Sequence, residues 1–235
     1  MLTSLNNLAE SVRLQGSYAE AEAMHLKTLQ LRETVLGKDH PVTLGSMNNV
    51  AESLRLQGKY VDSEAMHRRT LQLRKTVLGK NHPDTLTSMN NVAESLCLQG
   101  KYAEASAMHQ QTLQFTETAL GKDHPDTLGS MNNLAVSLRM QGKYTEAEVM
   151  HRQTLQLREK VLGKDHPDTF GSMNNVAESL RLQGKYADSE AMQRQALQLM
   201  ETVLGKGHPV TLASMNNLAM VLEKQGKDGS WEESP

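Results

Sequence analysis

The residues best suited to chemistry recur at one fixed step. His25, His67, His109 and His151 stand 42 residues apart, with Gln193 in the fifth place. A second set, His40, His82, His124, His166 and His208, keeps the same step, and each precedes a proline. Imidazoles are zinc ligands, but zinc needs nitrogens about 2 Å away. Neighbouring helices pack about 8–10 Å apart, so equivalent residues of adjacent repeats cannot readily share an ion. His67 and His82 lie near opposite ends of one helix. No metal and no cofactor is expected, and the loop histidines are expected to bond backbone at the turn. No nucleophile–base arrangement stands apart from the repeat, so the chain reads as non-catalytic.

Six Asn-Asn pairs carry a different chemistry. They run from Asn6-Asn7 through Asn48-Asn49, Asn90-Asn91, Asn132-Asn133 and Asn174-Asn175 to Asn216-Asn217, again 42 residues apart. A side-chain amide both donates and accepts, so a column of them can read an extended backbone without regard to its sequence. The alternative is that some of these amides bond neighbouring helices. Beside the pairs run a Glu slot (Glu10, Glu52, Glu94, Val136, Glu178, Met220) and an Arg slot (Arg13, Arg55, Cys97, Arg139, Arg181, Glu223). Glu and Arg three apart on a helix either pair with each other or face a ligand. Val136 and Cys97 make a local break.

The elements that position these columns follow from the period. A repeat of this size cannot bury its apolar face alone, so neighbours must stack. In the unit from Thr127 to Asp168, Gly142 and Gly163 mark left-handed helix ends. Apolar residues at Leu128, Met131, Leu134, Ala135 and Leu138, then at Tyr144, Ala147, Met150, Leu155, Leu157 and Val161, keep helical spacing. Each unit is therefore a helix, a tight Gln-Gly-Lys-Tyr turn, a second helix and a short loop. Asp123-His124-Pro125-Asp126 resembles a capping box for the next helix, with Asp126-Thr127 as the other possible cap. Gly207 stands where other loops have Asp or Asn, which predicts a cap weaker by roughly a few tenths of a kcal/mol. Two Met columns, Met24 to Met192 and Met47 to Met215, are expected to fill the core. Acidic residues such as Glu20 and Glu22 are expected on outward faces.

The expectation is an all-α, right-handed solenoid of about 5.5 repeats and eleven helices over residues 1–227. The units run 1–42, 43–84, 85–126, 127–168, 169–210 and a half repeat 211–227, with a frayed tail over 228–235. The opening aligns mid-unit, as in a fragment. A net charge of −2 with mixed signs and 3% aromatics offers nothing for nucleic acid or an anionic membrane. No apolar run reaches membrane-spanning length. The lone Cys97 permits no internal disulfide and fits a cytoplasmic setting.

The skeleton Met131, Leu134, Ala135, Leu138, then Ala147, His151 and Pro167, follows the tetratricopeptide pattern. Leu5 to Ala9, Gln141 to Glu148 and Arg158 to Thr169 resemble the tetratricopeptide repeats of kinesin light chains. Similar 42-residue repeats are common in fungal and bacterial proteins, often as the sensor arrays of nucleotide-dependent immune-type receptors. The kinesin heptad segment is not among these residues, and no Gly-Lys is followed by Ser or Thr, as a phosphate loop needs. The resemblance implies that first helices line a concave face. It puts Gly45, Asn48, Asn49, Glu52, Arg55 and Leu56 in the groove of the second repeat. It makes Asn49, Asn91, Asn133 and Asn175, with Asn48, Asn90, Asn132 and Asn174 beside them, a ladder for a protein or extended peptide. Glu52, Glu94, Arg55, Arg139 and Arg181 would tune specificity. A kinesin-type cargo adaptor is one alternative. Self-association through the ends is another, since Met220 and Val221 replace Glu and Ser and add apolar surface. The tail Ser230-Trp231-Glu232-Glu233 resembles the Trp-acidic peptides that kinesin light chains bind, and would dock on Arg139 or Arg181.

Overall fold

The computed structural model describes residues 2–226. The described residues form eleven α-helices and no strand. First helices are α1 (Leu2–Leu14), α3 (Pro41–Leu56), α5 (Pro83–Leu98), α7 (Pro125–Met140), α9 (Pro167–Leu182) and α11 (Pro209–Lys224). Second helices are α2 (Tyr18–Leu36), α4 (Tyr60–Leu78), α6 (Tyr102–Leu120), α8 (Tyr144–Leu162) and α10 (Tyr186–Leu204). From α3 onward each first helix starts at the proline of the His-Pro pair, about two residues before the expected start. The proposed tail docking of Trp231, Glu232 and Glu233 lies outside the described residues.

The chain divides into two compact units, residues 1–119 and 120–235. In the first unit, α2 packs on α3, α3 on α4 and α4 on α5. In the second, α7, α8, α9, α10 and α11 pack successively in the same way. The cores are correspondingly serial. One joins Leu29 of α2 to Leu44, Met47, Val50 and Leu54 of α3. Another joins Leu71 of α4 to Leu86, Met89, Val92 and Leu96 of α5 and Ala105 of α6. A third joins Leu155 of α8 to Phe170, Met173 and Leu180 of α9 and to Met200 of α10. Met47, Met89, Met131 and Met173 are buried, as core filling requires.

The helix starts correct the expected cap. The N-cap is the histidine itself, not the preceding Asp and not the Asp-Thr pair. Nδ1 of His82 accepts from the Asp84 N–H at 3.2 Å, and Nδ1 of His166 from the Asp168 N–H at 3.1 Å. Proline at the first helical position needs no acceptor for its nitrogen, so one imidazole satisfies the first exposed donor. Gly207 therefore does not weaken its cap. His208 Nδ1 still accepts from the Val210 N–H at 3.2 Å. At the other end, Gly163 has φ 92° and ψ 164°. That backbone region is open essentially to glycine alone, and it turns the chain into the loop.

Candidate first-helix binding face

The eight asparagines Asn48, Asn49, Asn90, Asn91, Asn132, Asn133, Asn174 and Asn175 are all half-buried. Several of their amides bond an Asn of the preceding repeat within each unit. Asn49 Nδ2 donates to Asn6 Oδ1 at 2.9 Å, and Asn91 Nδ2 to Asn48 Oδ1 at 2.6 Å. In the second unit Asn175 Nδ2 donates to Asn132 Oδ1 at 2.8 Å. Each bond uses one of the two hydrogens on Nδ2 and one acceptor site on Oδ1. A donor on the first Asn and an acceptor on the second are left over from that exchange. The amides therefore form a fixed rail that retains capacity of both kinds. Some of it is spent inward: Asn90 Oδ1 lies 3.3 Å from His109 Nδ1, and Asn174 Oδ1 accepts from the Ser214 hydroxyl at 3.4 Å.

The charged slots lie one and two turns further along the same helices. Arg55 bonds Glu52 through Nε and Nη2 at 2.7 and 2.6 Å, and its Nη1 reaches Glu94 of the next repeat at 3.3 Å. Arg181 holds Glu178 in the same bidentate way at 2.7 and 2.8 Å. Hydrogen bonding to the carboxylate raises the pKa of both guanidiniums. Arg139 has Val136 in place of its glutamate, and its ion pair is with Glu178 of the next repeat at 3.6 Å. The pairs are thus internal and partly screened, and each is worth about 0.3–0.5 kcal/mol. Glu94 is the most open member, with 54% of its side chain exposed.

Two polar clamps escaped the sequence reading. Arg32, Arg74 and Arg158, on second helices, are buried. Each staples the following first helix. Arg74 Nη1 donates to the Asp84 carbonyl at 2.8 Å and to Ser88 Oγ at 2.9 Å, and Arg158 makes the same pair with Asp168 and Ser172 at 2.9 Å each. Burial lowers the pKa of both arginines from the ordinary value. The common spacing of the Arg column and the Ser column (Ser46, Ser88, Ser172) was the available clue. The second clamp corrects the expectation that acidic residues such as Glu22 merely face outward. Gln57 Nε2 donates to Glu22 at 2.7 Å, and Lys59 Nζ lies 3.1 Å from the same carboxylate oxygen. Gln99 and Lys101 grip Glu64, and Gln183 and Lys185 grip Glu148, in the same way. A partly buried carboxylate needs such partners, and here the turn of the next repeat supplies them.

The family models complete the picture. Tetratricopeptide repeat models match residues 42–118, 84–160, 126–170 and 168–229, and a further one matches residues 1–42. This chain belongs to the tetratricopeptide repeat family. The array shares its α-solenoid fold of helical hairpins with solved structures. A putative kinesin light chain from Podosopora anserina, with nearly identical tetratricopeptide-like repeats, superposes with TM-score 0.77 at 21% identity, over 86% of this chain and 95% of that one. BtubC from P. vanneervenii gives 0.73 at 20% identity, over 87% and 81%. A signal transduction ATPase with a tetratricopeptide repeat sensor, from Pyrococcus horikoshii, gives 0.72 at 13% identity, over 97% of this chain and 34% of that one. No curated protein sequence matches the array. Tetratricopeptide arrays are generally scaffolds for other proteins rather than catalysts.

Among the described residues no group of His, Cys, Asp and Glu could hold a metal ion, and no helix is long and apolar enough to cross a membrane. The array's last helix departs from expectation. Val221 does not add exposed surface: it is 1% exposed, in the slot that Ser53, Ser95 and Ser179 fill when buried. Met220 is 49% exposed, and so is Leu212, whose counterparts Leu44, Leu86, Leu128 and Phe170 are buried.

Proposed function

We propose that the array is a non-catalytic scaffold that binds an extended segment of another protein along its first-helix face. The single observation that carries this is the amide rail. Asn48, Asn49, Asn91, Asn132 and Asn175 are held in register by Asn–Asn bonds, with Asn90, Asn133 and Asn174 in the same columns, and the bonded amides retain hydrogen-bonding capacity. A ligand main chain offers alternating donors and acceptors, which suits such a rail. Glu52, Arg55, Glu94, Arg139 and Arg181 would select side chains. Glu94 and Arg139 are the two that lack the opposite charge three residues away on their own helix, because Cys97 and Val136 replace it. A cytoplasmic setting fits the lone thiol.

Selection of binding peptides from a random display library tests the reading. Changing Asn91, Asn133 and Asn175 to Ala should weaken the selected peptides by about 0.5–1.5 kcal/mol per lost bond. Unchanged affinity, with unchanged helical circular dichroism, would count decisively against this face.

Two alternatives have particular support. A kinesin-type cargo adaptor would use the same face, and the likeness to kinesin light chain repeats favours it. Self-association through α11 is favoured by the exposure of Leu212 and Met220. Sedimentation velocity at two concentrations separates the last from the first two, since a binder of other proteins alone keeps one mass.

A further inference from the structure

A column of four histidines is buried in the array, and one of its rings meets the amide rail. His25, His67, His109 and His151 are 0%, 1%, 5% and 0% exposed. Both ring nitrogens of His25 and of His151, and Nδ1 of His67, have no hydrogen-bond partner among the described residues. The His109 ring touches the rail directly, through Asn90 Oδ1 at 3.3 Å. Such rings sit in the core as neutral groups.

The surroundings favour the neutral ring. His25 faces Glu10 and Arg13 from α1 and Arg32 from its own helix. His67 faces Glu52 and Arg55 from α3 and Arg74 from its own helix. His151 faces Arg139 from α7 and Arg158 from its own helix. For His109 the cause is burial. The two anions in this set, Glu10 and Glu52, are already held by Arg13 and Arg55. The cations outnumber them at every charged site. An imidazolium formed here would be a buried, unpaired charge among arginines, which a packed core does not tolerate.

The fifth position supplies the control. Gln193 occupies the same slot at 2% exposure and accepts from the Ser214 hydroxyl at 3.5 Å. A neutral, non-titrating side chain of similar size is therefore compatible with the hairpin. The packing does not demand imidazole in this slot.

We propose that the His25, His67, His109 and His151 column is an acid-sensitive release device. Proton uptake by these rings forces the first helices off the second helices and dismantles the face that the Asn rail builds. Burial holds the pKa of His67, His109 and His151 at about 4. The unfolded chain takes up these protons near the ordinary histidine value of about 6.5. Between those values the unfolded state binds more protons, so stability is full above about 6.5 and falls as pH drops toward 4. Each such histidine lowers the folded-to-unfolded ratio about tenfold per pH unit in that window, and three together about a thousandfold.

The test compares the intact chain with H25Q/H67Q/H109Q/H151Q by urea unfolding, followed by circular dichroism, from pH 7.0 down to 4.5. The loop histidines stay in both proteins, so any loss of their capping bonds on protonation is common to both. Carboxylate protonation is also common and belongs mostly to lower pH. The expected result is a steep fall in the wild type and a much shallower one in the variant. Parallel curves would overturn the proposal. If the fourfold variant does not fold at pH 7, the single variants H67Q and H151Q each should remove about a tenfold change per pH unit, and no change in either would overturn it. Ring proton shifts give an independent readout in the folded wild type. Four rings silent until unfolding support the device, whereas four rings titrating near 6.5 in folded protein refute it.

Discussion

Asn91 Nδ2 donates to Asn48 Oδ1 at 2.6 Å, one repeat away and on the same face. The bond couples two first helices through side chains that would also meet a ligand. It gives both residues of a pair a role within the array: Asn91 and Asn175 donate backward, and Asn48 and Asn132 accept from the repeat that follows.

That coupling is measurable. Asn48→Ala and Asn91→Ala should each cost about 0.5–1.5 kcal/mol of unfolding free energy. The double variant should cost less than their sum, because the same bond is lost once. Urea melts of the four proteins give the coupling. Strict additivity would mean that the rail contributes nothing to repeat stacking.

Arg74 should behave as a buried staple. Its replacement by Ala leaves the Asp84 carbonyl and Ser88 hydroxyl without their donor and should cost about 1–3 kcal/mol. Replacement by Met should cost less, because buried Met200 fills the equivalent slot in α10. Thermal melts rank the two variants against the wild type, and an Ala variant as stable as the wild type would show that the bonds are dispensable.

The histidine caps give a paired expectation. His166→Ala removes the acceptor for the Asp168 N–H and should cost about 0.5–2 kcal/mol. Gly207→Asp should change stability little, because His208 already caps α11. A gain from Gly207→Asp comparable to the loss from His166→Ala would reassign the cap to the preceding residue.

Val136→Glu restores the carboxylate three residues before Arg139. It should add about 0.2–0.5 kcal/mol at low salt, and the gain should shrink in high salt. It should also weaken any ligand carboxylate held by Arg139. A stability gain that persists undiminished in high salt would point to something other than the ion pair.

Much of this protein was legible before any coordinates. The 42-residue step settles stacking, because no single hairpin can bury its own apolar stripe. Gly142 and Gly163 mark helix ends because their backbone is left-handed, a local property that a residue type reports directly. The pairing of Glu52 with Arg55 is equally local, being one helical turn. What the residue types left open was decided between helices. Arg74 and Arg55 are the same residue in helical segments, yet one is buried against the next repeat and the other holds its own helix's glutamate on the face. Glu22 and Glu20 are both acidic and two apart, but Glu22 alone meets Gln57 and Lys59. His25 and His40 differ likewise, one sealed in the core and one capping a helix. A side chain's partner across a helix interface depends on how the next repeat is placed, and the spacing along one chain does not contain that placement.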